Sequence, residues 1–243
     1  MTGTVTSGSA HPTAAEGTVR TPRLTLDFFH DVVCGWCFNL SPRLRSLTQV
    51  FDLDVRHHTV VLQDSPARMA AVFGSAAAAK ATILGHWAAC AAASDDPARF
   101  AIDRMRAAPF DYPHGLPAAL ACQVAQRLDG HDGHWRIFDA LQSAHLGEAR
   151  NIADVAVLVD VAASAGFDAD RFREGLTDAR THRAVDDDRA LAQRLQVRAV
   201  PAVLVRETGA WLRNGPLEDL HAQLQREHDA RARAWATVGS VTP

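Results

Sequence analysis

The sequence feature that most constrains the fold is a pair of cysteines, Cys34 and Cys37, set between a predicted strand and a predicted helix. The strand is predicted over residues 23–29, where apolar positions alternate before two phenylalanines. The helix is predicted over residues 38–51, directly after the cysteines. A second strand, over residues 53–62, completes a β–α–β unit within about 40 residues. A CxxC pair in this context predicts redox-active thiols.

The position of the first cysteine indicates how such a site would work. A helix that begins at Cys34 points its unpaired N–H groups and the positive end of its dipole at the sulfur, which favours the reactive thiolate. Cys37, three residues further on, lies on the same helix face within reach of a disulfide. Cys34 is therefore predicted to form a mixed disulfide with substrate, which Cys37 resolves. Gly35 lets a substrate chain approach, and Trp36 offers a flat apolar surface beside the sulfur.

Two other interpretations of the cysteines stay open from the residues alone. A CxxC pair also forms half of many zinc sites, but Cys90 and Cys122 stand singly in the sequence. Histidines such as His57 and His58 could add ligands, yet the strand–CxxC–helix order favours redox chemistry, and no metal ion is predicted. Cys90 and Cys122 lie in predicted apolar helices, where a buried and unreactive thiol is the usual outcome.

The remainder of the chain predicts a helical block followed by a return to mixed structure. Residues 75–94 are rich in alanine and predict a helix that is apolar around most of its circumference and therefore well buried. Further helices, separated by Gly, Pro or Asp turn signals, are predicted over residues 117–128, 134–146, 152–165 and 168–176. The last third predicts a helix, two short strands and a final helix at residues 180–195, 202–205, 210–212 and 216–228. The order βαβ, helical block, αββα predicts an α/β protein: a thioredoxin fold with an inserted all-helical domain.

These elements divide the chain into five segments. Residues 1–22 are small and polar and are predicted to be a disordered leader. Residues 23–66 and 179–228 are predicted to form the N-terminal and C-terminal halves of the thioredoxin fold, with the CxxC in the first. Residues 67–178 are predicted to be the inserted helical domain, and residues 229–243 a tail.

Composition limits the partners and the location that we expect. Charged residues make up 22% of the chain and the formal net charge is −3, without the basic excess typical of nucleic-acid binding. No run reaches the roughly 18 apolar residues that would span a bilayer. The N-terminus lacks a basic start followed by an apolar run, so no secretory signal is predicted and the expected location is the cytoplasm. In that reducing compartment a CxxC pair is more often catalytic or metal-binding than structural.

The segment around the cysteines carries a family likeness. Residues 26–38, LDFFHDVVCGWCF, resemble the FrnE-like branch of the DsbA oxidoreductases, which typically read Asp-x-x-Cys-Pro-Trp-Cys-Tyr. Segments at residues 119–128, 134–168 and 186–205 fit the same family, and the likeness covers about residues 24–224.

The resemblance implies a cis proline at Pro201, packed opposite the cysteines in a thioredoxin fold. The backbone beside it, at Val200 and Ala199, would then pair with an extended substrate. The sequence departs from the family pattern in two places. Gly35 stands where the family has proline, and Arg198-Ala199 replace a stretch with a glycine before Val-Pro. The resemblance therefore implies disulfide exchange but leaves the substrate preference open.

Two acidic residues near the cysteines are further candidates. Related folds keep a buried carboxylate beneath the disulfide, and Asp27 on the first strand would be that group, with a raised pKa that lets it accept the proton of the resolving thiol. The spacing from strand to cysteine is one residue longer here, so an ordinary exposed strand aspartate is the alternative. Asp31 lies closer to Cys34 and is expected to cap the loop or the helix start.

Three functions are compatible with these patterns. The leading one is a thiol–disulfide oxidoreductase or isomerase that acts on protein disulfides, dithiols or small thiols. It would need no cofactor beyond the Cys34–Cys37 disulfide, although a low-molecular-weight thiol could serve as co-substrate. The runner-up resembles the kappa-class glutathione transferases and hydroxychromene-carboxylate isomerases, which usually carry serine where Cys34 stands. The third is a non-enzymatic binding or chaperone-like protein. No nucleic-acid or membrane partner is expected, and both a monomer and a homodimer are compatible with the sequence.

Overall fold

A four-stranded sheet with the order β2–β1–β3–β4 organises the protein, which a computed structural model describes over residues 23–239, with side chains up to residue 235. Strand β1 (Leu24–His30) pairs in parallel with β2 (Leu53–Thr59). On its other edge β1 pairs antiparallel with β3 (Ala202–Val205), which pairs antiparallel with β4 (Ala210–Leu212). The predicted leader, residues 1–22, lies outside the described residues.

Helices surround this sheet and fill the interval between its two halves. Helix α1 (Gly35–Thr48) connects β1 to β2, and α9 (Leu217–Gly239) follows β4. The described chain between β2 and β3 forms the helices α2 (Pro66–Phe73), α3 (Ala76–Ala92), α4 (Ile102–Ala107), α5 (Leu116–Gln142), α6 (Val155–Ser164), α7 (Ala169–Thr177) and α8 (Ala179–Arg194). A short 3₁₀ turn at Pro97–Arg99 and a π-helical turn at Ser143–Gly147 accompany them. The predicted α/β fold with inserted helices is confirmed.

Strand β1 lies at the centre because both of its faces are apolar. Every residue of β1 except Thr25 is buried. Phe28 packs edge-on against Phe138 of α5, with ring centroids 5.9 Å apart. Phe29, on the opposite face, stacks on His58 at 4.9 Å. A strand covered on both faces holds its carboxyl end firmly, and the CxxC loop begins at that end.

Helix α3 is where the prediction of burial is wrong. Of its 17 residues only Ala79, Leu84, Trp87 and Cys90 are buried. Alanine stabilises a helix through its high intrinsic propensity, without contributing much apolar area to a core. The alanine-rich composition therefore predicted the helix correctly, but it did not predict how much of the helix is buried. Of the buried residues, Trp87 and Cys90 lie beside the CxxC loop, and the alanines of α3 other than Ala79 are exposed or half-buried.

Two of the predicted boundaries differ most from the structure. The helices expected at residues 117–128 and 134–146 form the single helix α5, broken by non-helical backbone at Asp129 and Gly130. Gly130 has a φ of 61°, a left-handed conformation that glycine adopts without a steric penalty. Helix α9 continues past His228 to Gly239, because residues 229–235 are mostly alanine and arginine, which favour helix. No helix in residues 23–239 has the length and apolar character needed to cross a membrane.

Candidate functional site

Cys34 is the N-cap residue of α1. Its backbone is extended, with φ −85° and ψ 112°, and its sulfur accepts the backbone N–H of Cys37 at 3.3 Å. The sulfur thus occupies the place where a helix offers unpaired N–H donors and the positive end of its dipole. Cys34 is 8% exposed and Cys37 is fully buried, so only Cys34 can be reached from solvent.

The segment before β3 faces the Cys34 sulfur. The Cys34 thiol donates to the carbonyl oxygen of Val200 across 3.6 Å. The peptide bond between Val200 and Pro201 is cis. The two halves of the sheet, far apart in sequence, therefore meet at the sulfur.

Cys37 lies behind Cys34 in the protein interior. Burial raises the pKa of the Cys37 thiol well above its usual value, and the hydrogen bond and charge of the neighbouring Cys34 sulfur raise it further. The thiol of Cys37 is therefore held in its protonated form. It needs a proton acceptor before it can act as a nucleophile.

Hydrogen bonds to backbone carbonyls fix the loop that carries Cys34. Gln142 donates to the carbonyl oxygens of Val32 and Cys34, at 3.2 and 3.1 Å. The hydroxyl of Tyr112, the only tyrosine in the chain, donates to the carbonyl oxygen of Val33 at 3.2 Å. Trp87 donates to the same hydroxyl at 3.1 Å. These partners come from α3, α5 and the loop between α4 and α5, so the inserted helices hold the sulfur in place.

A cavity of about 270 Å³ opens beside Cys34. Its walls come from the CxxC loop, the loop after β2, helices α2 and α3, and Val200. Apolar side chains such as Phe73, Ile83 and Trp87 form much of the lining. An apolar cavity with a reactive group at one end is the usual form of a small-molecule or side-chain site.

Cys90 is a third thiol at this cavity. It is 1% exposed and lines the cavity together with Cys34. A Cβ atom placed on Gly35 would lie only 2.9 Å from the Cys90 sulfur, so Cys90 occupies space that a larger residue at position 35 would need. Burial raises the pKa of Cys90 to about 12, which keeps it protonated. Cys122 is fully buried, and burial raises its pKa as well.

Asp27 belongs to a charged cluster on the sheet. Its carboxylate accepts two bonds from Arg206, at 2.5 and 2.7 Å, and lies 2.8 Å from Nε2 of His58. His58 also contacts Asp188 through Nδ1 at 2.8 Å. Burial alone would raise the pKa of Asp27, but the hydrogen bonds from His58 and Arg206 lower it to about 2. The expectation of a raised pKa at Asp27 is therefore corrected, because it did not include these two cations.

Asp31 is the carboxyl group with the raised pKa. It is buried in the loop between β1 and α1 and accepts the backbone N–H groups of Leu62, at 2.8 Å, and Val33, at 3.3 Å. Its predicted role in capping the loop is confirmed by these bonds. Burial raises its pKa to about 6, although the backbone hydrogen bonds act in the opposite direction. A Cβ atom on Gly115 would lie 2.7 Å from an Asp31 oxygen, so glycine is required at that contact.

The structure brings most of the predicted site residues together. The residues that line the cavity include Cys34, Gly35, Trp36 and Val200. Cys37 lies directly behind Cys34, and Pro201 follows Val200. Ala199 is exposed and lies outside the cavity lining, and Asp27 lies in the charged cluster instead. Tyr112 is predicted from the sequence as a core or cleft-lining residue, but its hydrogen bond to the CxxC loop and the proximity of Cys90 to Gly35 were missed. The one signal in the sequence for a special role of Tyr112 is that it is the only tyrosine in the chain.

The β–α–β unit with a CxxC at the start of its first helix, closed by a cis-proline segment, defines the thioredoxin class of proteins. The chain belongs to the DSBA-like thioredoxin domain family, whose model matches residues 25–225. No curated protein matches the chain.

Solved structures show the same architecture. The cytosolic disulfide reductase DsbM from Pseudomonas aeruginosa, solved with GSH, is 26% identical, with 84% of this chain and 98% of that chain covered and a TM-score of 0.66. The probable DsbA oxidoreductase from Streptomyces coelicolor is 23% identical over 90% of this chain and 92% of that chain, with a TM-score of 0.61. A 2-hydroxychromene-2-carboxylate isomerase is 14% identical, with 90% of this chain and 100% of that chain covered and a TM-score of 0.57. The last two likenesses show the fold alone.

Proposed function

We propose that this protein is a thiol–disulfide oxidoreductase that works through Cys34 and Cys37. The observation that supports this most strongly is the position of the Cys34 sulfur. It caps α1, accepts the N–H of Cys37 at 3.3 Å and opens onto a cavity, while Cys37 stays buried behind it. A substrate can thus reach the sulfur of Cys34, whereas the sulfur of Cys37 can be reached only by the sulfur of Cys34.

The reaction follows from this order of the two sulfurs. The Cys34 thiolate attacks one sulfur of a substrate disulfide, the substrate S–S bond breaks, and the leaving thiolate takes a proton. Cys37 then loses its proton and attacks the Cys34 sulfur, which releases the second substrate thiol. Two electrons pass from the dithiol to the substrate, and the enzyme keeps a Cys34–Cys37 disulfide. Two molecules of a small thiol would restore the dithiol and form a disulfide between themselves.

Asp31 is the group that we assign to the proton of Cys37. The charge of Asp31 is among the causes that raise the pKa of the Cys37 thiol, so the two groups are electrostatically coupled. A carboxyl group with a pKa of about 6 is mostly ionised at pH 7 yet close enough to that pH to accept a proton effectively. Asp27, held as a fixed anion by Arg206 and His58, is unsuited to that role.

The substrate would lie between the CxxC loop and the cis-proline segment. Gly35 and Trp36 would form one side, and the backbone of Ala199 and Val200 the other. Pro201 would hold Val200 close to the sulfur. This arrangement favours an extended peptide or a small thiol over a bulky folded surface, because the cavity volume is about 270 Å³.

A small thiol is the electron donor that we favour, which would make the protein a disulfide reductase of the cytoplasm. The support is the 26% identity to a cytosolic disulfide reductase that was solved with GSH. Protein disulfides remain a second substrate class, and assignment to the FrnE-like branch stays a prediction.

The test is a redox equilibrium. The purified protein is equilibrated in glutathione buffers of defined ratio, free thiols are trapped by alkylation, and the mass is measured. We expect one two-electron transition confined to Cys34 and Cys37. The variant Cys122→Ser should show the same transition, and Cys34→Ser should lose it together with disulfide reductase activity.

Two outcomes would overturn the proposal. The absence of a Cys34–Cys37 disulfide at every ratio, with a stable glutathione adduct on Cys34, would favour the transferase-like alternative. Full function in the Cys34→Ser variant would favour a non-enzymatic binding protein.

A further inference from the structure

Three histidines form a second buried cluster, separate from the thiols. His30 ends β1, His57 lies in β2, and His134 lies in α5. All three side chains are fully buried. One ring nitrogen of each lies within 4.8 Å of a ring nitrogen of the other two. The cluster therefore joins both strands of the β–α–β unit to the longest inserted helix that the structure describes.

The hydrogen bonding of this cluster is incomplete. Nδ1 of His30 and both ring nitrogens of His57 have no hydrogen-bond partner among the described residues. A buried polar atom without a partner costs about 1–3 kcal/mol. Three such atoms in one cluster indicate that the side chains have a use other than filling the core, where phenylalanine or leucine would serve better.

The ring nitrogens are spaced as ligands to a single ion. Nε2 of His134 lies 3.1 Å from Nε2 of His30. Nitrogens that share a metal ion, at metal–nitrogen distances of about 2.0–2.1 Å, lie about 3.3–3.6 Å from one another. That contact is slightly shorter than this range, and the other separations in the cluster are at most 4.8 Å, so small side-chain movements suffice to bring all three nitrogens onto one ion.

The surroundings also orient the rings. Nδ1 of His134 lies 2.6 Å from Oε1 of Gln126, which can only accept, so Nδ1 carries the proton and Nε2 presents its lone pair to the cluster. A histidine whose far N–H is held by an acceptor is the usual arrangement at metal sites. The ring of Phe138, 4.0 Å from that of His30, and the ring of Trp135, 5.1 Å from that of His57, form apolar walls.

We propose that His30, His57 and His134 bind a late first-row transition-metal ion. Imidazole nitrogen suits zinc, copper, iron and nickel, and of these copper has a common singly charged ion. Three neutral ligands within apolar walls leave the charge of the ion uncompensated, which disfavours a doubly charged ion. Structural zinc takes four protein ligands, and a three-histidine zinc site keeps a fourth position open to water, whereas this cluster supplies three ligands and is fully buried. The site therefore favours copper(I) over zinc(II).

The register of the sheet explains why the cluster escapes sequence inspection. In the parallel pairing of β1 with β2, Phe28 lies opposite His57, and His30 lies two residues after Phe28 on the same face. Two histidines on neighbouring strands thus share a face, and His134 reaches them from α5. His58, adjacent in sequence to His57, points to the opposite face and joins the Asp27 cluster.

The test uses protein with Cys34→Ser and Cys37→Ser, so that the redox thiols do not take the ion. This protein is titrated anaerobically with copper(I) against a chromogenic chelator, and separately with zinc(II). We expect one equivalent of copper(I) to bind and to raise the Tm. X-ray absorption should show nitrogen ligands at about 2.0 Å and no sulfur at about 2.3 Å.

Variants of the cluster make the test specific. In the same background His57→Phe should bind copper(I) about 100-fold more weakly. The control His182→Gln, at an exposed histidine of α8, should bind as the parent does. Gln126→Leu keeps all three ligands and should weaken binding about 10-fold to 100-fold, since partners of ligating histidines have effects of that size.

Three results would decide against the proposal. They are the absence of stoichiometric binding of either ion, sulfur ligands in the absorption spectrum, and unchanged affinity in both His57→Phe and Gln126→Leu. Zinc bound by the three nitrogens in preference to copper(I) would keep the site and overturn the preference for a singly charged ion.

Discussion

Asp27 and Asp31 stand four residues apart, one on β1 and one in the loop that follows, and both side chains are buried. The hydrogen bonds of Asp27 to His58 and Arg206 outweigh burial and lower its pKa to about 2. Asp31 accepts only backbone N–H groups among its described hydrogen bonds, and burial raises its pKa to about 6. The two carboxyl groups therefore carry different charges in mildly acidic solution.

The comparison shows that a cation partner, rather than burial, decides the sign of a pKa shift here. Asp27 is a fixed anion that joins β1 to the end of β2 and to the residue after β3. Asp31 can change its charge near neutral pH, close to a thiol that must lose a proton. The same residue type is thus structural in one place and suited to proton transfer in the other.

The largest effect should follow from removing the fixed anion. Asp27→Asn leaves Arg206 and His58 without their shared carboxylate, and we expect the free energy of unfolding to fall by about 3 kcal/mol at pH 7. Urea unfolding measures this. The control Asp160→Asn, at an exposed ion pair with Arg150, should cost less than about 1 kcal/mol. If both variants lost the same free energy of unfolding, the buried ion pairs of Asp27 would contribute no more to stability than the exposed pair of Asp160.

The second effect concerns catalysis at Asp31. Asp31→Asn keeps an oxygen that can accept the N–H of Leu62 but cannot accept the proton of Cys37. We expect the rate of disulfide reduction at pH 7 to fall about 100-fold, the lower end of the range typical of general-base groups. In the native protein the rate should rise with pH through about 6, and this step should be absent from the variant. A rate within about twofold of the native value would show that Asp31 only shapes the loop.

The third effect is on stability, and its sign is opposite for the two carboxyl groups. A raised pKa means that Asp31 favours the folded state below about pH 4, and that this contribution is lost as the pH rises through about 6. Asp31→Asn should therefore be more stable than the native protein at pH 8, by about 3 kcal/mol, and similar to it near pH 4. For Asp27 the contribution is present above about pH 4 and is lost as the pH falls through about 2. A pH-independent difference for Asp31→Asn would contradict this linkage.

The smallest effect should come from a change that keeps the cation at Asp27. Arg206→Lys preserves the positive charge but loses the paired hydrogen bonds of the guanidinium group. Because the Arg206 side chain is 40% exposed, solvent screens the difference, and we expect a loss of about 1 kcal/mol. Urea unfolding of Arg206→Lys, measured in parallel with Asp27→Asn, gives this loss in the free energy of unfolding. A loss as large as that of Asp27→Asn would show that geometry matters more than charge.

The sequence predicts the elements of this fold well, because their signals are local. Strands β1 and β3 lie where alternating or apolar runs predict them, and the CxxC begins α1 as expected. The predicted burial of α3 is wrong. A high alanine content indicates that a segment forms a helix, but it does not indicate whether that helix packs in the core or at the surface. The break in α5 at Gly130 depends on backbone conformation rather than on a change in composition.

The site is less predictable, because its decisive partners are distant in sequence. Arg206 lies 179 residues from Asp27 and His58 lies 31 residues away, and together their hydrogen bonds reverse the pKa shift that burial would cause. The contact between Gly35 and Cys90 and the grouping of three histidines likewise need the tertiary structure. Cys34 and Cys37 could be predicted as a redox pair because the chemistry proposed for them depends on neighbours within one helical turn.

Helix α3 forms one wall of the cavity while only four of its 17 residues are buried. A wall with so few core contacts opens at a lower free energy than the strands opposite, and its amide hydrogens should exchange sooner than those of β1. The sulfur of Cys34 thus stands between a rigid side, formed by the sheet, and a compliant one. Such an asymmetric cleft can widen on the α3 side without disturbing the end of α1 that carries the Cys34 sulfur.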